Sequence, residues 1–130
     1  MKLLLDTHAL LWALSDAPRL GRAARRRIAE LVNEVWVSVV SLWEIAVKLR
    51  VGKLRAELPE IIEALAPSGF RLLELRPSHV LALGELPVFS DHRDPFGHLL
   101  IAQAISEGFS FMSDDVNAGR YAVRRVGCAR

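Results

Sequence analysis

The stretch Lys2-Leu3-Leu4-Leu5-Asp6 decides how this chain folds. Three consecutive leucines are apolar on both faces of a strand, which is typical of a parallel sheet covered by helices on each side. Asp6 follows the leucines directly. In open parallel sheets the active site lies beyond the carboxyl ends of the strands, so this carboxylate lies where chemistry is expected.

Outward from this strand, short apolar runs alternate with helical patterns along the whole chain. Further strands are predicted at 35–37, 70–75, 109–112 and 122–126. Helices are predicted at 8–14, 21–32, 38–51, 58–66, 77–86 and 94–107. This alternation predicts an α/β fold with a parallel central sheet. The length of 130 residues, without a linker or repeat, predicts one domain over residues 1–130.

The composition excludes several classes of protein. With 17 Lys and Arg against 15 Asp and Glu, the net charge of +2 is too small for a general polycation. The single cysteine, Cys128, excludes an intrachain disulfide and a cysteine-based zinc site. No run resembles a signal peptide or approaches the roughly 20 apolar residues of a membrane span. We therefore expect a cytoplasmic protein without a membrane partner.

Four carboxylates fall at or near the carboxyl ends of the predicted strands. Asp6 ends the first strand and Glu44 lies on the helix after the second. Asp115 follows the strand at 109–112, and Asp94 begins the helix that leads into that strand. Carboxylates gathered in one pocket repel one another unless a hard cation such as Mg²⁺ neutralises them. Such a cation can orient a water and stabilise a phosphate leaving group, so the chemistry predicted is phosphodiester hydrolysis.

Each acid also has a structural alternative. Asp6 could cap the helix that follows it, and Asp94 before a proline is a standard helix start. Glu44 fits both a capping box that begins at Ser41 and an i,i+4 pair with Lys48. The acid after the fourth strand could be a turn residue. The prediction of a site therefore rests on the joint placement of the four acids at strand ends.

A different acidic α/β protein, such as a phosphoryl-transfer receiver domain or an aspartate phosphatase, is the competing interpretation. Receivers place an acidic pair after the first strand, where this chain has the single Asp6. Aspartate phosphatases need a second Asp two residues later, where this chain has His8. Both departures disfavour these classes.

Six strings, spread over nearly the whole chain, resemble a known family. They are Leu5-Asp6-Thr7-His8-Ala9-Leu10-Leu11-Trp12, Ser38-Val39-Val40-Ser41-Leu42-Trp43-Glu44-Ile45-Ala46-Val47-Lys48, Gly52-Lys53-Leu54, His92-Arg93-Asp94-Pro95-Phe96, Leu99-Leu100-Ile101-Ala102-Gln103-Ala104, and Ser113-Asp114-Asp115 with Tyr121 after it. In this order and spacing they resemble the PIN-domain nucleases, in particular the VapC-like toxins of bacterial and archaeal toxin–antitoxin pairs.

The resemblance implies a three-layer α/β/α sandwich around a central parallel sheet. It also implies an endoribonuclease that depends on Mg²⁺ or Mn²⁺, a cognate antitoxin that occludes the site, and a homodimer or higher homo-oligomer. Position by position, Asp6, Glu44 and Asp115 match the first, second and last acids of the family. Ser113 stands where the family usually has Thr, and it could hold the acidic cluster by hydrogen bonding.

One position departs from the family pattern. The usual Asp-Pro-Phe-Asp-Arg-Leu-Leu reads Asp94-Pro95-Phe96-Gly97-His98-Leu99-Leu100 here, so Gly97 replaces an acid of the metal site. Glycine within a helix costs up to about 1 kcal/mol relative to Ala, so helix propensity does not explain it. Asp94 lies nearly one turn earlier and could take over the metal role. The expected catalytic set is then Asp6, Glu44, Asp94 and Asp115, and the expected metal ligands are Asp6, Asp94 and Asp115.

The alternative is a catalytically impaired relative that binds RNA or an antitoxin without efficient cleavage. RNA binding would use arginine, since 14 of the 17 basic residues are Arg and Arg suits bidentate phosphate contacts. A coding bias towards Arg and a solvated helix face are the structural alternatives. The arginines gather at 19–27 and 120–130, and in the second group we expect Arg124 and Arg125 to contact RNA.

Overall fold

The computed structural model describes all residues, 1–130, and contains five strands, six α-helices and one 3₁₀ helix. The strands are β1 (Lys2–Leu5), β2 (Glu34–Ser38), β3 (Phe70–Leu73), β4 (Ser110–Met112) and β5 (Arg125–Val126). The α-helices are α1 (Thr7–Leu14), α2 (Arg22–Ala29), α3 (Val39–Arg50), α4 (Leu58–Leu65), α5 (Pro77–Gly84) and α6 (Pro95–Glu107). The 3₁₀ helix spans Val116–Arg120.

The five strands form one sheet in the order β3-β2-β1-β4-β5, and every neighbouring pair is parallel. The first strand lies at the centre, where Leu4 is opposite Trp36 on one side and Phe111 on the other. Parallel strands need crossover connections, and the helices between the strands supply them. The predicted parallel α/β fold is confirmed.

The three leucines of β1 divide the core between the two faces of the sheet. Leu3 and Leu5 belong to an apolar cluster with residues of α1, α2, α3 and α4. Leu4 belongs to a second cluster built mainly from α6, against which α5 packs. All three side chains are fully buried. Helices thus cover both faces of the sheet, and the three-layer sandwich implied by the resemblance is confirmed.

Some element boundaries differ from the predictions for local reasons. Helix α2 ends at Ala29, three residues before the predicted end, because the Asn33 side-chain amide donates to the Arg27 carbonyl and closes the last turn. The last strand has two residues instead of five, since its single neighbour β4 has only three. Strand β3 ends at Leu73, two residues before the predicted end.

The carboxyl ends of the central strands are joined by backbone hydrogen bonds. The Asp6 amide donates to the Met112 carbonyl at 2.9 Å, and the Ser113 amide donates to the Val126 carbonyl at 2.9 Å. These bonds bring the residues that follow β1, β4 and β5 to the same edge of the sheet. No helix of the structure combines the length and apolar character needed to cross a lipid bilayer.

Candidate active site

The four predicted acids line one pocket at the carboxyl edge of the sheet. The pocket has a volume of about 370 Å³. Its lining residues are Asp6, His8, Glu44, Lys48, Asp94, Phe96, Asp114 and Asp115. Acids from four separate parts of the sequence therefore converge, as the position of active sites in parallel sheets leads one to expect.

Asp6 is fixed by two hydrogen bonds at the end of β1. Its Oδ1 accepts from the Thr7 amide at 2.8 Å, and its Oδ2 accepts from the Ser113 hydroxyl at 2.6 Å. The Ser113 hydroxyl oxygen in turn accepts from the Asp115 amide at 3.0 Å. Asp6 is therefore both the N-cap of α1 and a pocket acid. The fully buried Ser113 links the first predicted acid to the backbone of the last.

Glu44 is a buried carboxylate with two partners. Its Oε1 accepts from the Thr7 hydroxyl at 2.7 Å, and its Oε2 lies 2.7 Å from the Lys48 ammonium, so the expected i,i+4 pair is present. The capping box that would begin at Ser41 is wrong. Helix α3 begins three residues earlier, where the Ser38 side chain accepts from the Val40 amide, because β2 ends at Ser38. The burial of Glu44 is thus compensated by one hydroxyl and one ammonium group.

Asp115 is oriented by a histidine to which the sequence assigned no definite role. Its Oδ1 accepts from the Asn117 amide at 2.9 Å, and its Oδ2 lies 3.1 Å from His92 Nε2. His92 is 7% exposed, and its Nδ1 lies 2.8 Å from the Tyr121 hydroxyl. With a proton on Nε2 the ring donates to the carboxylate, while Nδ1 faces the tyrosine hydroxyl and His98 Nε2, the latter 3.2 Å away. The only signal in the sequence was the position of His92 near the loop before Asp94.

Asp94 is the N-cap residue of α6, but its side chain accepts no hydrogen bond from the helix. The carboxylate lies over Gly97 instead, where a Cβ would be 2.5 Å from Asp94 Oδ2. Asp94 is exposed and lines the pocket from the side of α6. The structure therefore places the fourth acid near the others without tying it to the helix.

The electrostatics of the pocket favour a cation. Burial raises the pKa of Asp6 above its ordinary value near 3.8, and the charge of Glu44 adds to this effect. The hydrogen bonds from Ser113 and Thr7 act in the opposite direction. The charged form of Asp6 is therefore unfavourable in the protein alone, and a cation in the pocket would relieve that cost.

The donor chemistry fits Mg²⁺ or Mn²⁺ with several waters retained. No three His, Cys, Asp or Glu side chains converge closely enough to ligate one ion directly. The acids instead surround a pocket of about 370 Å³. Mg²⁺ usually keeps several waters and binds through one or two carboxylates, so an open pocket lined by carboxylate oxygens suits it.

The two arginines predicted to contact RNA have different surroundings. Arg125 donates from Nη1 to the Ser113 carbonyl at 2.9 Å and so holds the backbone of the residue that bonds Asp6. Arg124 is exposed. A neighbouring pocket of about 340 Å³ shares Asp114 with the acidic pocket and includes Arg19 and Arg130. One arginine from each predicted group therefore lies beside the acids, although the sequence did not single out either.

Comparison with known proteins agrees with this geometry. The model of the PIN domain family matches residues 3–124, which is nearly the whole chain. The chain belongs to the PIN domain family. A comparison of this PIN domain with curated protein sequences gives no match.

Several solved structures share the fold of this PIN domain. A chain of VapBC2 from Rickettsia felis, bound to a promoter DNA fragment, matches with a TM-score of 0.72 and 15% identity, over 98% of this chain and 99% of that chain. A chain of DNA-bound VapBC from Salmonella typhimurium matches with a TM-score of 0.68 and 14% identity, over 98% of both chains. A chain of VapBC-1 from nontypeable Haemophilus influenzae matches with a TM-score of 0.65 and 16% identity, over 98% of both chains.

The raised pKa of Asp6 gives a testable effect on stability. In EDTA at pH 7, we expect Asp6→Asn to raise the melting temperature, because the substitution removes a charge that the folded protein disfavours. The folded-state pKa lies above the unfolded value, so this cost to the parent grows as the pH rises between the two values. Below the unfolded value near 3.8, both states are protonated and the advantage of the variant should disappear.

Thermal unfolding at several pH values, followed by circular dichroism, measures this difference. The exposed Asp16 provides a matched control, since Asp16→Asn removes the same charge outside the pocket. An Asp6→Asn variant that is less stable than the parent at pH 7 would contradict the conclusion that the folded protein disfavours the charge of Asp6.

Proposed function

We propose that this PIN domain is a metal-dependent endoribonuclease that hydrolyses RNA phosphodiester bonds as the toxin of a toxin–antitoxin pair. The observation that carries the proposal is the convergence of Asp6, Glu44, Asp94 and Asp115 on one pocket. Membership of the PIN domain family supports nuclease chemistry at that pocket. Mg²⁺ or Mn²⁺ is the proposed cofactor.

Asp6, Asp94 and Asp115 are the proposed metal ligands, and part of this set would hold the ion through its retained waters. When bound, the ion would lower the pKa of a water and stabilise negative charge on the phosphate and the leaving oxygen. Ser113 orients Asp6 and His92 orients Asp115, so two of the three carboxylates are fixed before substrate binds. This fixation reduces the reorganisation that the reaction requires.

Glu44 belongs to the proposed catalytic set but not to the metal ligands. Its carboxylate is held by the Thr7 hydroxyl and the Lys48 ammonium at the edge of the pocket formed by α1 and α3. We assign it to accept a proton from the attacking water. The Lys48 ammonium lies 2.7 Å from Oε2, which leaves Oε1 and the Thr7 hydroxyl on the other side of the carboxylate.

A cognate antitoxin is the proposed protein partner. Three of the matched structures, by their names, are VapBC complexes. Trp43 is 54% exposed and packs edge-to-face on Phe96, with ring centroids 4.8 Å apart, while Phe96 lines the acidic pocket. An antitoxin segment that covers Trp43 would therefore also cover the site. Trp12 packs against the apolar core and is not part of this proposed surface.

We further propose a cytoplasmic homodimer or higher homo-oligomer, as the resemblance to VapC-like toxins implies. The exposed apolar side chains are consistent with such contacts. They include Val39 at the start of α3, Leu72 on the edge strand β3, and Val80 on α5.

Cleavage of RNA by the purified protein tests the catalytic proposal. We expect cleavage with Mg²⁺ or Mn²⁺, none in EDTA, and a loss of about 100-fold or more in Asp6→Asn, because that carboxylate is a proposed metal ligand. Asp16→Asn, with the same chemical change at an exposed position, should cleave like the parent. The readout is the initial rate on a labelled single-stranded RNA.

Full activity in EDTA would contradict metal dependence, and full activity of Asp6→Asn would exclude this pocket as the site. A parent that cleaves nothing, together with a Gly97→Asp variant that cleaves, would support the alternative of a catalytically impaired relative. Gly97 in place of an acid is the observation that motivates this second candidate.

Charge reversal of exposed arginines tests the RNA-binding surface. We expect Arg124→Glu, Arg19→Glu and Arg130→Glu each to weaken RNA binding at low salt. Each should also reduce the salt dependence of RNA affinity by the equivalent of about one phosphate contact. Arg50→Glu, at the C-terminal end of α3, is the control and should bind like the parent. RNA affinity measured in EDTA by fluorescence anisotropy separates binding from cleavage. Unchanged affinity in Arg124→Glu would exclude Arg124 as an RNA contact.

A further inference from the structure

Gly97 is the third residue of α6, inside the helix, and the carboxylate of Asp94 lies over it. A Cβ added at Gly97 would be 2.5 Å from Asp94 Oδ2, 3.0 Å from Cγ and 3.6 Å from Cβ. These are the three nearest heavy atoms, so no other element of the fold comes closer to this position. The Asp94 side chain thus fills the space into which a side chain at position 97 would project.

Both residues break a local rule of helix formation. Glycine is among the least favourable residues inside a helix, and Gly97 is neither at the helix end nor at a positive φ. Asp is among the best N-cap residues, yet Asp94 accepts no amide of α6. The N-caps Asp6, Ser38 and Asp115 of the same fold do accept such a bond. Helix stability therefore does not account for the pair.

The position of the Asp94 carboxylate accounts for both departures. An Asp94 side chain bonded to the amides of α6 would be committed to the helix end. Lying over Gly97, it is free of the helix and lines the acidic pocket together with Asp6 and Asp115. Departures from local rules that lack a local benefit are expected at functional sites.

We infer that Gly97 is a positioning residue, and that its missing side chain allows Asp94 to present its carboxylate to the metal pocket. In this pair, Gly97 acts only by leaving room for the Asp94 carboxylate. This inference deepens the proposed function, because it rests on a metal ion binding among the pocket acids. It assigns Gly97 a role through Asp94 and no contact with substrate.

Gly97→Ala tests the inference because its two expected effects have opposite signs. The Cβ should displace the Asp94 carboxylate and weaken Mn²⁺ binding by about tenfold. The same methyl group favours the helix, so the melting temperature in EDTA should rise by about 2–5 °C. Isothermal titration with Mn²⁺ alone and thermal unfolding in EDTA give the two readouts. A merely structural glycine would change stability without changing Mn²⁺ affinity.

Gly84→Ala is the matched control. Gly84 is the last residue of α5, and a Cβ there would meet no atom within 4 Å. This variant should bind Mn²⁺ like the parent. A similar loss of Mn²⁺ affinity in both variants would show an unspecific effect and would overturn the inference.

A double-mutant cycle then tests whether Gly97 acts through Asp94. Asp94→Asn should weaken Mn²⁺ binding about as much as Gly97→Ala does. Adding Gly97→Ala to Asp94→Asn should cause no further loss, because the carboxylate to be displaced is already absent. Adding Gly97→Asp to Asp94→Ala should restore Mn²⁺ affinity, since it returns an acid to the space that the Asp94 side chain leaves.

The outcomes separate this inference from the proposed ribonuclease activity. Unchanged Mn²⁺ affinity in Gly97→Ala, or additive losses in the double variant, would overturn the inference even if the parent cleaves RNA. A parent that shows no Mn²⁺ binding would overturn it as well. Coupled losses of Mn²⁺ affinity in a parent that cleaves no RNA would support the inference and contradict the proposed function.

Discussion

The carboxylate of Asp6, drawn into the protein at the end of the central strand, is the constraint on which the rest of the site depends. The three leucines before it are fully buried, one towards one face of the sheet and two towards the other. They hold β1 between β2 and β4, so the chain cannot carry Asp6 out towards solvent without disrupting the core. Burial then raises the pKa of this carboxyl group and makes its charge costly.

The surrounding polar groups reduce this cost without removing it. Asp6 accepts hydrogen bonds from the Ser113 hydroxyl and the Thr7 amide. Glu44 accepts a hydrogen bond from the Thr7 hydroxyl and forms an ion pair with Lys48. Asp115 lies within hydrogen-bond distance of His92. Lys48 is the only Lys or Arg side chain that lines the pocket. Negative charge therefore remains in excess. A preorganised set of acids with unneutralised charge is the arrangement that a divalent cation and a phosphodiester substrate need.

Much of this arrangement follows from the sequence because its causes are local. The leucines of β1 and the alternation of strands and helices predict the sheet, and the rule on strand ends then selects Asp6 and Asp115. This rule depends only on where each strand ends, so it can be applied without knowing which distant residues are in contact. Asp94 and Glu44, on helices that approach the same edge, were predicted on the same basis.

The rest could not be predicted because it depends on partners far apart in the chain. The roles of Thr7 and His92 exist only once α3 and the loop after β4 are packed against them. The capping box assigned to Ser41 was wrong because the end of β2, not the residue pattern of α3, sets where that helix begins. Helix propensity alone marks Gly97 as unfavourable. The close approach of the Asp94 carboxylate supplies a physical reason for a glycine at this position.

Thermal unfolding of the parent and of Asp6→Asn over a series of Mn²⁺ concentrations tests the central claim most directly. If the pocket acids form a cation site, the melting temperature of the parent rises with Mn²⁺, since a ligand that binds only the folded state stabilises it by RT ln(1 + [L]/Kd). At about 100 times the Kd this amounts to about 2.7 kcal/mol. The rise should be largely lost in Asp6→Asn. An equal rise in both proteins, or no rise in the parent, would contradict a metal site built around Asp6.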